Sequence, residues 1–327
     1  MTRWLSGRFA YLGTWIGFKI GCLAIGFLPR QWLFHLSDWL AALGYRFFHG
    51  FRKRSIQNLS VALGDHLDQT EIEKIVCGSL RNFFRACFEI GITLQTSDDD
   101  LRSEITVSGR MNLDAALAKG KGVIALGAHL GNFFLVGTRL AIDGYTTFVL
   151  VNQPRDGQFA RLMDDYRLQA RQKTIHARPR RKALQELYQV LRSNSIAVVI
   201  ADEYRKGAGI HVPLFGRTVL ARRGPATVAL RTGAAIVPVI MVREPDNRLR
   251  LVIEPELELV RSTKGMSEIK ENTARITQWL ERTVRAYPDQ WNWMNIQWWD
   301  SSQDAVRAPD DGLQRGSYDI IKRGDSL

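Results

Sequence analysis

The chain of 327 residues is 45% hydrophobic and 24% charged, a composition typical of folded proteins, so a disordered chain is excluded. Lysine and arginine outnumber aspartate and glutamate by 45 to 33, and this formal net charge of +12 predicts an anionic partner. Nucleic acid, anionic lipid headgroups and an acidic carrier protein all meet that requirement.

The amino-terminal segment predicts a membrane anchor. Residues 9–28 contain a single charge, Lys19, and have about the length that a helix needs to cross a ~30 Å hydrocarbon core. A lysine in the middle of a bilayer costs roughly 2.5–3.5 kcal/mol, so a helix that lies in the membrane stays as open as one that spans it.

Residues 30–48 place large apolar side chains at helical spacing and run directly into the basic stretch "HGFRKRS". This pattern fits a helix in the interface of an anionic membrane, and it also fits a helix that packs on a protein core. The apolar residues 9–28 beside it favour the membrane. Residues 71–92 continue with one apolar helical face, which we expect to lie in the core.

The cysteines and histidines give no sign of a metal centre. Cys22, Cys77 and Cys87 each lie among apolar residues and lack C-x-x-C spacing, which indicates small buried side chains in a reducing compartment. The sequence contains no HExxH motif and no Cys/His cluster, so no metal is predicted.

From about residue 120, short apolar runs alternate with helical stretches. Strands are predicted at residues 122–127, 146–151, 195–202, 234–242 and 250–255. This alternation predicts an α/β fold with a mostly parallel central sheet flanked by helices on both faces. Ligands bind beyond the carboxyl ends of such strands, where His129 and Asp202 would face one crevice. No GxGxxG or Walker loop opens a helix, so no nucleotide cofactor is expected.

Three stretches then carry a recognisable pattern: "GAHLGNFF" (127–134), "FGRTVLARRGPATVALRTGAAIVPV" (215–239) and "YPDQWNWMNIQWW" (287–299). They resemble the lipid A late acyltransferases of Gram-negative bacteria, which are lauroyl and myristoyl transferases of the lysophospholipid acyltransferase-like superfamily. The stretch "FRKRSIQNLSVALG" (51–64) is similar to the family's Arg-x4-Asn-Leu segment. The resemblance runs from about residue 1 to residue 300.

The resemblance implies an enzyme of the bacterial inner membrane with its active site at the cytoplasmic face. It would move a fatty acyl chain from acyl carrier protein to a hydroxyl of a lipid A precursor or related glycolipid, without a cofactor. The basic surface fits both the acidic carrier and an anionic membrane, and the chain shows no nucleic-acid recognition motif. We expect an anchor with an interfacial helix at 1–50, an acyltransferase domain at 51–300 and a disordered tail at 301–327.

The family's active-site signature, His-x4-Asp/Glu, is incomplete in this chain. His129, Gly131 and Asn132 match it, but Phe134 stands at the acid position. In the family the histidine takes the proton from the acceptor hydroxyl as that oxygen attacks the thioester. The acid orients the imidazole and stabilises its charged form, and a phenyl ring can do neither.

Three explanations of the missing acid stay open. In the first, a carboxylate from another strand end, Asp202 or Glu203, replaces it. In the second, His129 works alone on a more easily deprotonated acceptor such as an amine, or moves another group such as an amino acid. In the third, the chain no longer catalyses and binds lipid or partner proteins. The retained Gly131 and Asn132 favour an enzyme.

Further substrate-binding residues are predicted beside the histidine and in the downstream blocks. Arginine suits bidentate capture of phosphate, which lipid A precursors carry. The other arginines between residues 171 and 181 are interpreted mainly as a solvated face. The substrate-binding set comprises Gly131, Asn132, Phe134, Arg167, Glu203, Phe215, Gly216 and Arg223.

Four tryptophans lie between residues 291 and 299. Each one alone is expected in the core, whereas together they suit the membrane interface or the wall of an acyl groove. The family usually has His and Arg after the second of them. This chain has Asn295, Ile296 and Gln297 there, so we expect acceptor recognition to differ.

Overall fold

The computed structural model describes residue 25 and residues 28–153, 157–204, 209–261 and 265–298. The expected anchor at residues 9–28 lies outside the described residues except for Ile25 and Leu28, and the expected tail at 301–327 lies wholly outside them. Within the described ranges, no helix combines the length and the apolar composition that crossing a bilayer requires.

The elements alternate along the chain much as the sequence predicts. The helices are α1 (Arg30–Phe47), α2 (His49–Leu63), α3 (Gln69–Thr93), α4 (Asp98–Glu104), α5 (Arg110–Leu117), α6 (Val136–Ile142), α7 (Gly157–Gln169), α8 (Arg180–Arg192), α9 (Gly224–Thr232) and α10 (Met266–Ala286). The strands are β1 (Ile105–Ser108), β2 (Val123–Gly127), β3 (Thr147–Val151), β4 (Lys173–His176), β5 (Ile196–Ile200), β6 (Ile210–Leu214), β7 (Arg217–Ala221), β8 (Ala235–Arg243) and β9 (Leu249–Ile253).

The central sheet confirms the predicted α/β fold. Its strand order over the described residues is β1-β9-β8-β2-β5-β3-β4. The strands from β8 to β4 run parallel, whereas β9 pairs antiparallel with β8 and β1 runs parallel to β9. Strand β2 is buried along its whole length between β8 and β5. Its two faces enter two cores: Ile124 and Leu126 lie in one cluster of buried side chains, and Val123 and Ala125 in the other.

Three features of the fold were not predicted. Strands β1 and β4 have four residues each and lie at the two edges of the sheet, where polar side chains interrupt the apolar run. The antiparallel hairpin of β6 and β7 is a separate small sheet. Strand β5 also ends at Ile200, two residues before the expected end at Asp202.

Helix α3 begins with a capping box. The Asp68 side chain accepts a hydrogen bond from the Glu71 N–H, and the Glu71 side chain accepts one from the Asp68 N–H. The predicted core face is correct for Ile72, Val76 and Leu80, which are buried. It is wrong for Phe83, which is 47% exposed, and for Phe88, which is only partly buried and lines a cavity.

Helix α1 has two distinct faces. Its buried face consists of Leu33, Ser37, Ala41 and Gly44 and packs against α3, where the small side chains allow close approach. Its other face exposes Trp32 (69%), Leu36 (39%), Trp39 (60%), Leu43 (38%) and Phe47 (59%). One side of this helix thus packs on protein, as one interpretation of the sequence predicts, and contact of the exposed side with a membrane stays a prediction.

A buried ion pair joins α3 to the end of β8. Arg243 donates from Nη1 to Glu89 Oε1 and from Nη2 to Glu89 Oε2, at 2.7 Å each. The Nε of Arg243 donates to Asn82 Oδ1 at 3.0 Å. The Arg243 and Glu89 side chains are only 6% and 8% exposed, so each charge depends on the other for compensation.

We predict that Glu89→Ala lowers the free energy of unfolding by about 3–5 kcal/mol, because Arg243 would remain buried without its partner. The matched control is Glu104→Ala, which removes the exposed pair between Arg30 and Glu104 and should cost less than about 1 kcal/mol. Denaturant unfolding of both variants in one detergent measures the difference. Equal losses would contradict the prediction.

Candidate active site

The histidine loop follows β2 and takes a path that neighbouring backbone fixes. The Gly131 N–H donates to the Gln290 carbonyl at 2.9 Å, and the Asn132 N–H donates to the Met241 carbonyl at 3.0 Å. Gly131 has a φ of +57°, and a Cβ added there would lie 1.9 Å from the Met241 oxygen, so only glycine fits. Helix α6 therefore begins only after this loop, at Val136.

Asn132 connects this loop to the buried ion pair. Its side chain is fully buried, and Nδ2 donates to Glu89 Oε2 at 2.7 Å. Gly131 and Asn132 were predicted to bind substrate, but neither lines the cavity beside His129. Their contacts show instead that they hold the loop in place.

The structure brings His129 and Asp202 together. His129 Nδ1 lies 2.7 Å from Asp202 Oδ1, and the His129 backbone N–H donates to Asp202 Oδ2 at 2.8 Å. Parallel pairing of β2 with β5 explains this proximity, because the two residues follow the carboxyl ends of adjacent strands. With Nδ1–H donating to the carboxylate, the other ring nitrogen, Nε2, carries the lone pair that can accept a proton.

Asp202 receives a third hydrogen bond, which was not predicted from the sequence. Trp291 Nε1 donates to Asp202 Oδ2 at 2.7 Å. Trp291 and Trp293 are both completely buried, as expected for each tryptophan taken singly. The density of tryptophans at residues 291–299 was the only signal in the sequence, and it gave no hint of a carboxylate partner.

These contacts set the ionisation of Asp202. Burial raises the pKa of this carboxyl group, but attraction to His129 and the hydrogen bonds from His129 and Trp291 outweigh burial. The pKa of Asp202 therefore lies below its ordinary value of 3.8. Asp202 is ionised throughout the neutral range, and its contribution to stability is lost only as the pH falls below that value.

An apolar cavity of about 620 Å³ opens beside His129. Phe133 and Phe134 form one wall, with ring centroids 4.1 Å apart, and the Phe133 centroid lies 4.8 Å from that of His129. The phenyl ring at the family's acid position thus adds apolar surface. Gly137, Gln172 and Val198 also line the cavity and are buried, so the cavity reaches into the interior. It has the size and the largely apolar lining of a site for an apolar ligand.

Arg167 and Glu203, both predicted to bind substrate, also line this cavity. Arg167 Nη1 pairs with Asp164 Oδ1 at 3.1 Å. Within the described part of the chain, no group of three or more His, Cys, Asp or Glu side chains is arranged to hold a metal ion.

The remaining predicted residues lie elsewhere. Phe215 and Gly216 form the turn of the β6–β7 hairpin, and both have positive φ angles. Phe215 is buried against Trp291 and Trp293, with centroid distances of 6.4 and 6.0 Å. Arg223 is exposed immediately before α9. None of these three residues lines the cavity, and their contact with substrate stays a prediction. Phe215 packs against Trp291 and so helps to hold the indole in place.

Comparison with known proteins gives relatives along almost the whole chain. The chain is 24% identical over 288 residues to the lipid A biosynthesis palmitoleoyltransferase of Escherichia coli (strain K12), an alignment that covers 87% of this chain and 90% of that protein. It is 24% identical over 297 residues to the phosphatidylinositol mannoside acyltransferase of Mycobacterium tuberculosis (strain CDC 1551 / Oshkosh), with 89% and 90% covered.

The family described as bacterial lipid A biosynthesis acyltransferase matches residues 4–300. This match includes the histidine loop, the hairpin and the tryptophan segment from which the resemblance was inferred. Because it extends over far more than half of the sequence, the protein belongs to the bacterial lipid A biosynthesis acyltransferase family.

Proposed function

We propose that this protein transfers a fatty acyl chain from an acyl carrier protein to a hydroxyl of a lipid A precursor or a related glycolipid at the membrane. In this proposal His129 is the general base and Asp202 is the acid that orients it. The observation that carries the proposal is the 2.7 Å contact between His129 Nδ1 and Asp202 Oδ1 beside an apolar cavity.

The reaction follows from this geometry. His129 Nε2 accepts the proton of the acceptor hydroxyl as its oxygen attacks the carbonyl carbon of the thioester. Ionised Asp202 stabilises the imidazolium that forms. Collapse of the tetrahedral intermediate breaks the carbon–sulfur bond, and the leaving thiolate takes the proton back from His129. The products are an ester on the lipid and a free thiol on the carrier.

Asp202 accounts for the phenylalanine at the acid position. The carboxylate reaches His129 from the end of β5, so position 134 is free to form part of the cavity wall. The paired histidine supports catalysis over a role limited to lipid binding. The apolar lining supports an alkyl chain as the transferred group over an amino acid.

Two acceptors have equal support from the relatives. One relative is named for lipid A biosynthesis and another for phosphatidylinositol mannoside, and both are 24% identical to this chain. Acyl transfer is therefore to be measured with each of the two acceptors separately. The proposed function would be wrong if the purified wild type transferred no acyl group to either of them.

For Asp202→Asn we predict a fall in kcat of up to about 10⁴-fold, which is the effect of the same change in the serine-protease triad. His129→Ala should abolish transfer. Trp291→Phe should give an intermediate loss, because it removes one of the three hydrogen bonds to the carboxylate. Transfer of a labelled acyl group from acyl carrier protein measures all three. Near-normal turnover in Asp202→Asn would remove Asp202 from the mechanism.

Phe134→Glu tests whether the acid position has been rebuilt. We predict that it lowers both acyl transfer and thermal stability, because a carboxylate would be placed in an apolar wall of the cavity without a partner for its charge. Phe134→Leu, which keeps the wall apolar, should retain most of the activity. A rise in transfer with glutamate would show that Asp202 does not fully replace the missing acid.

The exposed aromatic face of α1 predicts contact with lipid, because amphipathic rings favour the membrane interface. Fluorescence quenching by brominated acyl chains in anionic vesicles should fall in the double variant Trp32→Phe/Trp39→Phe. Trp293→Phe, which replaces a buried tryptophan, should leave the quenching unchanged. Unchanged quenching in the double variant would place this face away from the bilayer.

A further inference from the structure

Four basic residues form an exposed ridge where β4 leads into α8. The basic ridge consists of Arg178, Arg180, Arg181 and Lys182, and all four side chains are exposed. Within the described residues, no carboxylate lies within 4 Å of the three arginines, and Lys182 pairs at 3.6 Å with Glu186 on its own helix. Over the described part of the chain, three of the four positive charges of the ridge thus have no ion-pair partner.

Helix geometry does not explain this cluster. The first turn of α8 contains Arg180, Arg181 and Lys182 and no acidic residue. The amino terminus of a helix carries partial positive charge, so acidic side chains stabilise it and basic ones weaken it. The arrangement costs stability, and an anionic partner bound at the ridge would offset that cost.

The ridge lies at the edge of the acyl cavity. Ala177, directly before Arg178, lines the cavity, and its N–H donates at 2.8 Å to the carbonyl of Val151, another lining residue. Strand β4 is the last strand of the sheet on this side. A molecule bound to Arg178 would thus lie next to the residue that lines the cavity.

The composition around the ridge distinguishes a protein partner from a membrane. Exposed large apolar side chains concentrate between residues 28 and 48, whereas among the described residues from 160 to 204 only Leu168, 74% exposed, is of this kind. Membrane-binding surfaces combine many apolar side chains with basic ones, whereas the four residues of the ridge are all basic and a single exposed leucine precedes β4. A soluble acidic macromolecule fits it better than a bilayer does.

We infer that the basic ridge is the docking surface for the acidic carrier protein that delivers the acyl chain as a thioester. This inference rests on the proposed function and adds the place where the donor binds. Helix α3 also lines the cavity, through Cys87 and Phe88, and it packs against α1, the helix with the exposed aromatic face. Carrier and lipid would then approach His129 by different elements, the carrier at the end of β4 and the lipid beside α1 and α3.

The test is the triple charge reversal Arg178→Glu/Arg180→Glu/Arg181→Glu in the full-length protein. It should raise KM for acyl carrier protein about tenfold or more, because complementary charge governs encounter and register. With acyl-pantetheine, a donor that lacks the acidic protein, the triple reversal should also lower kcat/KM less. The fall should be at least about tenfold smaller than the fall with acyl carrier protein. Salt should weaken use of the carrier by the wild type and not by the variant.

The matched control is Arg192→Glu/Arg231→Glu. Arg192 ends the same helix, about 18 Å from its start at 1.5 Å per residue, and Arg231 lies beside it at the end of α9. This control should leave KM for the carrier unchanged. Equal effects of the two reversals, or no effect of the triple reversal, would overturn the inference.

Direct binding separates the inference from the proposed function. Titration of the enzyme with acyl carrier protein should show binding that the triple reversal abolishes, whether or not transfer occurs. Binding without transfer in the wild type would leave the ridge assigned and the proposed reaction wrong. A triple reversal that loses binding to anionic vesicles and keeps its affinity for the carrier would assign the ridge to lipid and overturn the inference.

Discussion

The buried carboxylate of Asp202 is the constraint on which the site depends. An ionised carboxylate that is 1% exposed is tolerable only while donors surround it, and here the donors are the His129 backbone, the His129 ring and the Trp291 indole. The three donors belong to two segments that also bond to each other, because the Asn292 N–H donates to the His129 carbonyl. The same contacts thus orient the imidazole and attach the carboxyl-terminal tryptophan segment to the sheet.

A second buried charge supports the same loop from the other side. Glu89 accepts hydrogen bonds from both Arg243 and Asn132, so α3, β8 and the histidine loop meet at one carboxylate. Between these two carboxylates the loop has little freedom. In the proposed reaction, this preorganisation would hold the His129 imidazole in position before the substrates arrive, and much of the catalytic effect of a fixed polar site originates in such preorganisation.

The sequence predicted the features that local pattern encodes. Strands β2, β5 and β8 are covered on both faces, so they read as continuous apolar runs, and the rule for strand ends placed His129 and Asp202 in one crevice. The contacts of Trp291 and Glu89 could not be found this way, since their partners lie 89 and 43 residues away and no spacing records such a pairing. Phe215 and Gly216 show a different failure. The stretch around them identifies the family, and the sequence therefore assigned them to substrate, but they form a hairpin turn that does not line the cavity.

The hydrogen bond from Trp291 also has a consequence in time. His129 leaves the ribosome 73 residues before Asp202, and Trp291 follows a further 89 residues later. A nascent chain that has already made its last sheet strand still lacks the indole that completes the carboxylate's shell. A chain that ends before this segment would therefore fold its sheet and still lack one of the three hydrogen bonds that hold Asp202 beside His129.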